Sequence, residues 1–188
     1  SRILFGAAVL SFGPKQYPVD MRGILAERQN RVTPLSGFVT SGKLHLLDAA
    51  PDGIMLGSGV ATRLGAGVGD SVLVGTPVGD RMTLRVVAIF EAEIPPVDNS
   101  RVYVSLRTAQ TLFGKPDIVG RIDVRLSDED REPEVAARAE RLFGYDAESW
   151  QEANQHFLGR CGQQSPGLRF PGPPVHARAA FGPRAPAL

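Results

Sequence analysis

The chain has 188 residues, 43% hydrophobic and 22% charged, with 21 Gly, 15 Pro and one Cys, and at that length roughly 70% of the unfolded surface can be buried around one core. Six of the prolines and four arginines (Arg160, Arg169, Arg178, Arg184) fall in residues 159–188, which hold no Asp, Glu or Lys; the body then has 17 basic against 20 acidic residues, a net of −3 where the whole chain carries +1. A near-neutral body without a basic stripe gives nucleic acid little to hold, the single Cys161 excludes an intrachain disulfide and a cysteine zinc cluster, and no apolar run reaches the ~18 residues of a membrane span.

The chain opens on Ser-Arg-Ile-Leu, with no initiator Met and no signal peptide, and is expected to be an excised piece. Residues 1–19 are mildly apolar and broken by Gly13-Pro14 and Pro18, which predicts short strands with turns. Val19 to Ile24 alternates as a half-buried strand does. Leu25 to Arg31 is charged and predicts an exposed turn, and Val32 to Leu47 offers two short apolar stretches around Ser41-Gly42. Gly53–Gly57 reads as a strand, followed by a short helix with Ser58 as its cap and Val60, Ala61 and Leu64 inward. Gly65 stands where a left-handed C-terminal residue is expected.

Ser71–Val74 and Met82–Phe90 predict two antiparallel strands joined by a short loop. Glu91–Ser100 is a polar loop with Pro95-Pro96. Arg101–Leu106 alternates as a strand, Leu106–Phe113 follows as a helix with Ala109, Leu112 and Phe113 on its apolar side, and Ile118–Leu126 is a further strand. Glu132–Phe143 keeps helical spacing through Val135, Ala136, Ala139, Leu142 and Phe143, with Pro133 in the first turn, where its missing N–H costs nothing. Trp150–Leu158 resumes a helical pattern. No internal repeat of 20–50 residues is visible.

Sites for chemistry are sparse. Gly57-Ser58-Gly59-Val60-Ala61-Thr62 comes near a dinucleotide fingerprint, but Thr62 stands where a third small residue is needed, and no acid closes a following strand. Asp128-Glu129-Asp130 with Glu132 and Glu134 lacks the Gly and bidentate Glu of a calcium loop, and acids before a helix suit its positive end. His45, His156 and His176 are widely spaced, and no Gly-x-Ser-x-Gly elbow occurs. Neither a catalytic residue, a metal nor a cofactor is therefore expected, and the chain is read as a binding or mechanical element and not an enzyme. Trp150 reads as a core residue on an apolar helical face. The exposed-looking loops, usable for partner contacts, are the hairpin tip Pro77, Val78, Gly79, Asp80 and Arg81, and the pair Pro95 and Pro96.

From Gly53 to Phe113 the order of motifs is similar to that of the LolC/LolE and MacB-like ABC transporter permeases. The run Gly-Ile-Met-Leu-Gly-Ser-Gly-Val-Ala-Thr-Arg-Leu-Gly-Ala-Gly-Val-Gly-Asp-Ser-Val carries the resemblance. Arg85–Phe90, Val97-Asp98 and Tyr103–Leu106 with Ala109-Gln110 and Leu112-Phe113 continue it. Met21–Ile24, Val32–Leu35 and Ser149–Glu152 extend it to about residues 13–158. The resemblance implies an α+β extracytoplasmic domain of the FtsX-like superfamily, a β-rich lobe inserted in a small α/β lobe. Residues 1–81 would form the β-rich lobe and 82–158 the second half of the α/β lobe, whose first half and membrane helices are missing from the chain. It also implies an inner-membrane protein with this segment on the periplasmic side, coupling cytoplasmic ATP hydrolysis to substrate release or export. The implied partners are a cytoplasmic ABC ATPase subunit and a second permease subunit, with a lipoprotein substrate or periplasmic carrier. LolC-type members have a longer proline-bearing hook at the hairpin that grips the carrier; Thr76–Met82 is too short for one, which points to a LolE-like or general MacB-like role.

A second reading is a β-barrel accessory domain of a cofactor-dependent oxidoreductase, because Leu-Gly-x-x-x-Gly-Asp before a strand suits any helix-to-strand turn. The tail, 159–188, is expected to be irregular, either a disordered interaction segment or the product of a shifted reading frame.

Overall fold

Residues 1–77, 81–126, 131–144, 146–148 and 176–180 are described in a computed structural model of the chain. The first long alternating stretch folds as one hairpin, where several short strands are expected. β1 (Arg2–Phe12) and β2 (Lys15–Ile24) pair antiparallel from Ile3↔Ile24 to Phe12↔Lys15. Gly13, with φ +55°, makes the turn. Pro18 sits inside β2 opposite Val9 without breaking it. The Asp20 N–H bonds outward to the Ser100 carbonyl, so the position two residues earlier faces the same edge. That edge of β2 is paired only from Asp20 onward, so the missing N–H of Pro18 removes no ladder bond.

The charged stretch after β2 is helical and not a turn. α1 (Ala26–Val32) buries Ala26, Gln29 and Val32, a helical spacing hidden among charged residues. A 3-10 turn (Leu35–Phe38), β3 (Val39–Gly42) and α2 (Leu46–Ala49) complete this connection. β4 (Gly53–Gly57) leads into α3 (Ser58–Leu64). Ser58 is the first helical residue and Gly57 occupies the cap, with no side-chain bond; Gly65 ends the helix at φ +76° as expected. β5 (Ser71–Gly75) and β6 (Arg81–Phe90) form the expected antiparallel hairpin, Ser71↔Arg85 to Gly75↔Arg81. A short helix α4 (Pro95–Asp98), β7 (Arg101–Ser105) and α5 (Leu106–Leu112) follow.

Six strands close on themselves in the order β1, β2, β7, β4, β6, β5 and back to β1. Two of these pairings, β2 with β7 and β4 with β6, are parallel; the other four are antiparallel. The pairing scheme maps onto itself when β1 is exchanged with β5, β2 with β6, and β4 with β7. Each of β4 and β7 runs directly into a seven-residue helix, α3 or α5. The barrel therefore has a twofold repeat of connectivity that sequence periodicity does not show.

The ring encloses one core, with Leu4, Ala8, Leu10, Val19, Met21, Ile54, Leu56, Val72, Val74, Leu84, Val86, Val102 and Val104 all buried in it. α3 and α5 close on it through Val60, Leu64, Leu106, Ala109 and Leu112. α5 approaches β2 so closely that a Cβ on Gly23 would lie 2.3 Å from the Ala109 Cβ. A second core forms against other residues of the same strands: Ile3, Ile24, Met55, Ala88, Phe90 and Tyr103 pack with Ala26, Leu35, Leu44 and Leu47 of the β2–β4 connection. β6 serves both cores because of a bulge. Ile54 pairs with Val86 but Met55 with Ala88, so the alternation shifts at Val87 and moves Ala88 and Phe90 from the barrel side to the second core.

The chain divides into two compact units, residues 1–119 and 120–188. The boundary expected at 81/82 falls at the start of β6, a strand paired with both β5 and β4, so residues 82–119 belong with the barrel. In the second unit, β8 (Arg121–Arg125) pairs antiparallel with β10 (His176–Ala180), which pairs antiparallel with β9 (Asp146–Glu148). α6 (Glu132–Phe143) ends on Gly144 at φ +68°, and the Glu140 side chain accepts from the Ala147 N–H at 3.1 Å. Of the tail expected to be irregular, residues 176–180 form β10. The expected features at Asp128–Asp130, Trp150 and 151–158, and the positions of His156 and Cys161, lie outside the described residues.

Candidate functional site

The two loops expected to carry contacts flank β6, one at each end. β6 is ten residues long from Arg81 to Phe90, and its nine steps of ~3.3 Å place the loops about 30 Å apart. They form two separate surfaces. At the hairpin end, Pro77 and Arg81 are exposed, and Val78, Gly79 and Asp80 lie outside the described residues. The base of this tip is anchored, because the Thr76 Oγ1 donates to the Leu112 carbonyl at 3.0 Å, at the end of α5.

The other loop, residues 91–100, is built around Asp98. Its carboxylate is buried and accepts from two backbone N–H groups, Ala92 at 2.7 Å and Ile94 at 3.0 Å. Glu93, between them, sits at φ +58°, a left-handed conformation that costs a non-glycine residue about 1 kcal/mol. The clamp on both neighbours holds it there. α4 is fastened as well: the Ser100 hydroxyl donates to the Pro96 carbonyl at 2.6 Å. The loop then packs so closely on α3 that Cβ atoms built on Gly57 and Gly59 would meet the Asp98 carbonyl oxygen at 2.4 Å and the Asn99 Oδ1 at 2.0 Å.

The product is an immobilised projection whose apolar tip faces water: Ile94 is 46% exposed, and Pro95 and Pro96 are exposed beside it. Sequence reasoning found the two prolines but not Ile94 or the role of Asp98. The signal was an Asp two residues after a Pro-Pro pair, a spacing suited to an N-terminal loop clamp. Among the described residues no three His, Cys, Asp or Glu side chains converge on a possible metal position. The near-fingerprint at Gly57–Thr62 is consumed by packing against Asp98 and Asn99.

Residues 5–142 match the family model of the MacB-like periplasmic core domain. The chain belongs to that family. Among curated proteins, this MacB-like domain is 29% identical over 153 residues to the lipoprotein-releasing system transmembrane protein LolC of Xylella fastidiosa strain Temecula1, covering 76% of the chain and 37% of that protein. It is 30% identical over 128 residues to LolC of Neisseria meningitidis serogroup B, covering 63% of the chain and 31% of that protein. The MacB-like domain thus spans about a third of the length of these relatives. Among solved structures, it resembles the extracellular domain of the noncanonic ABC-type transporter YknZ from Gram-positive bacteria, with a TM-score of 0.52, 12% identity, and coverage of 96% of the chain and 79% of that domain. At that identity the likeness is one of fold. No helix among the described residues is long and apolar enough to cross a membrane.

Proposed function

We propose that this MacB-like domain is the extracytoplasmic part of an ABC transporter permease of the lipoprotein-releasing type, held on the periplasmic side of the inner membrane. The observation that carries this is the match to two LolC proteins, together with the family-model match over residues 5–142. In this reading the domain performs no chemistry. A cytoplasmic ABC ATPase drives the membrane part, a second permease subunit completes the transporter, and the domain moves to release a lipoprotein or hand it to a periplasmic carrier. A closed barrel with two cores suits such a role, because it transmits displacement as one packed body.

Partner contacts are assigned to the two loops: Pro77, Val78, Gly79, Asp80 and Arg81 at the hairpin tip, and Pro95 and Pro96 beside Ile94 on the clamped projection. The test is reconstitution of the full-length permease with its ATPase in proteoliposomes loaded with a lipoprotein. ATP-dependent transfer of the lipoprotein to a soluble carrier is expected, and replacing residues 77–81 by Gly-Ser is expected to lower transfer while ATP hydrolysis persists. Release that proceeds equally well with this domain deleted would defeat the reading.

A further inference from the structure

The two repeats of the barrel are not elaborated equally. From β6 to β7 the chain crosses in residues 91–100, whereas the equivalent passage from β2 to β4 takes residues 25–52. The longer passage leaves a cavity of about 380 Å³ between α1, the 3-10 turn and the chain from β3 toward α2. That volume lies at the small end of ligand pockets, which run from about 300 to 1,000 Å³.

The walls are tied to one another and to the barrel by hydrogen bonds. The Asn30 side chain of α1 accepts from the Ser36 N–H at 2.8 Å, which fixes the 3-10 turn against the helix. Asp48 of α2 accepts from the Ala26 N–H at 3.0 Å and the Glu27 N–H at 3.2 Å. The Lys43 N–H donates to the Val87 carbonyl at 3.3 Å and anchors the third wall on β6. The cavity is therefore formed before anything enters it.

Three side chains give it its chemistry. Glu27 and Lys43 both line it, yet neither takes part in an ion pair among those of the described residues. Glu27 does not close on Arg31 either, although the i,i+4 spacing within α1 allows it. A carboxylate and an ammonium thus face one space without neutralising each other. His45 adds an imidazole, which offers an N–H donor in either tautomer. Ala26, Val39 and Leu44 supply apolar surface. Opposite charges held apart around an apolar cavity match a small molecule that carries both charges. Among the described residues no arginine lines the space, and phosphate is the anion that calls for an arginine fork, so a carboxylate suits the cationic side better.

We propose that this cavity binds a free α-amino acid with an aliphatic side chain. Its ammonium meets Glu27, its carboxylate meets Lys43 and His45, and its side chain lies on Ala26, Val39 and Leu44. The site belongs to the long passage of the barrel and stands whether or not the domain works in a transporter.

The experiment titrates the ¹⁵N-labelled chain with L-leucine. Saturable shifts at the Glu27, Lys43 and Leu44 amides are expected, with a Kd of about 1 mM or tighter. N-acetyl-leucine lacks the ammonium, leucine methyl ester the carboxylate and glycine the side chain; each is expected to bind about tenfold more weakly. Glu27→Gln and Lys43→Gln replace exposed side chains, so the Tm is expected to stay near that of the parent. Glu27→Gln is expected to weaken leucine about tenfold and N-acetyl-leucine not at all. Lys43→Gln is expected to weaken leucine by a similar factor and to spare the methyl ester. No saturable shift at about 10 mM leucine, or leucine binding indifferent to both variants, would overturn the proposal. Tighter binding of O-phosphoethanolamine than of leucine would also overturn it, by assigning the cavity to a phosphate-bearing ligand.

Discussion

The passages β2–β4 and β6–β7 solve one problem twice. Each leaves a barrel strand, crosses, and returns as the next strand beside the partner half. Each is fastened by one aspartate that accepts two backbone N–H groups near the start of the passage: Asp48 from Ala26 and Glu27, and Asp98 from Ala92 and Ile94. The difference lies in what surrounds the carboxylate. Asp98 is 7% exposed and braces a loop pressed on α3, whereas Asp48 is exposed on a helical layer with its own core. The short passage is rigid because polar bonds hold it in place of apolar contacts. The longer one is held by hydrophobic burial, through Ala26, Leu35, Leu44 and Leu47 in the second core.

The comparison sharpens on mutation. Leu47 is fully buried in the second core, so Leu47→Ala is expected to cost about 2–5 kcal/mol in denaturant unfolding, with the barrel unfolding along with the second core. A separate transition for residues 25–52 would mean that the long passage is an independent layer. Gly57→Ala drives a Cβ to within 2.4 Å of the Asp98 carbonyl and is expected to cost about 1–3 kcal/mol. Wild-type stability in that variant would show the short passage to be looser than its geometry.

Asp98→Ala leaves two N–H groups without their acceptor and is expected to cost about 1–3 kcal/mol, with faster amide exchange at Ala92 and Ile94. The matching change Asp48→Ala is expected to cost about 1 kcal/mol, the value of an exposed helix cap, with faster exchange confined to α1. Equal costs for the two would remove burial as the distinction between the passages. The smallest effect has the opposite sign. Glu93→Gly relieves a φ of +58° and is expected to raise the Tm slightly, by about 0.5–1 kcal/mol of stability.

Much of this was legible because local physics dominates at those positions. Gly65 had to take a left-handed conformation at the end of α3, and it does. The β5–β6 hairpin, β4, β7, α5 and α6 followed from alternation and helical spacing. α1 was missed because Glu27, Arg28 and Arg31 mask a buried set of three residues. In the candidate site, proline marked the projecting loop, but the value of Asp98 depends on burial beneath its own loop, which no window of sequence contains.

Composition and periodicity by themselves determined a mixed α and β chain, and motif order pointed to its family. Closure of the barrel was decided in three dimensions. The parallel pairings join Asp20 to Arg101 and Gly53 to Arg85, positions far apart in the chain. Alternation reports that a strand has a buried face, not which strand lies beside it. Nor does it reveal that a single bulge at Val87 turns one strand from the barrel core to the second.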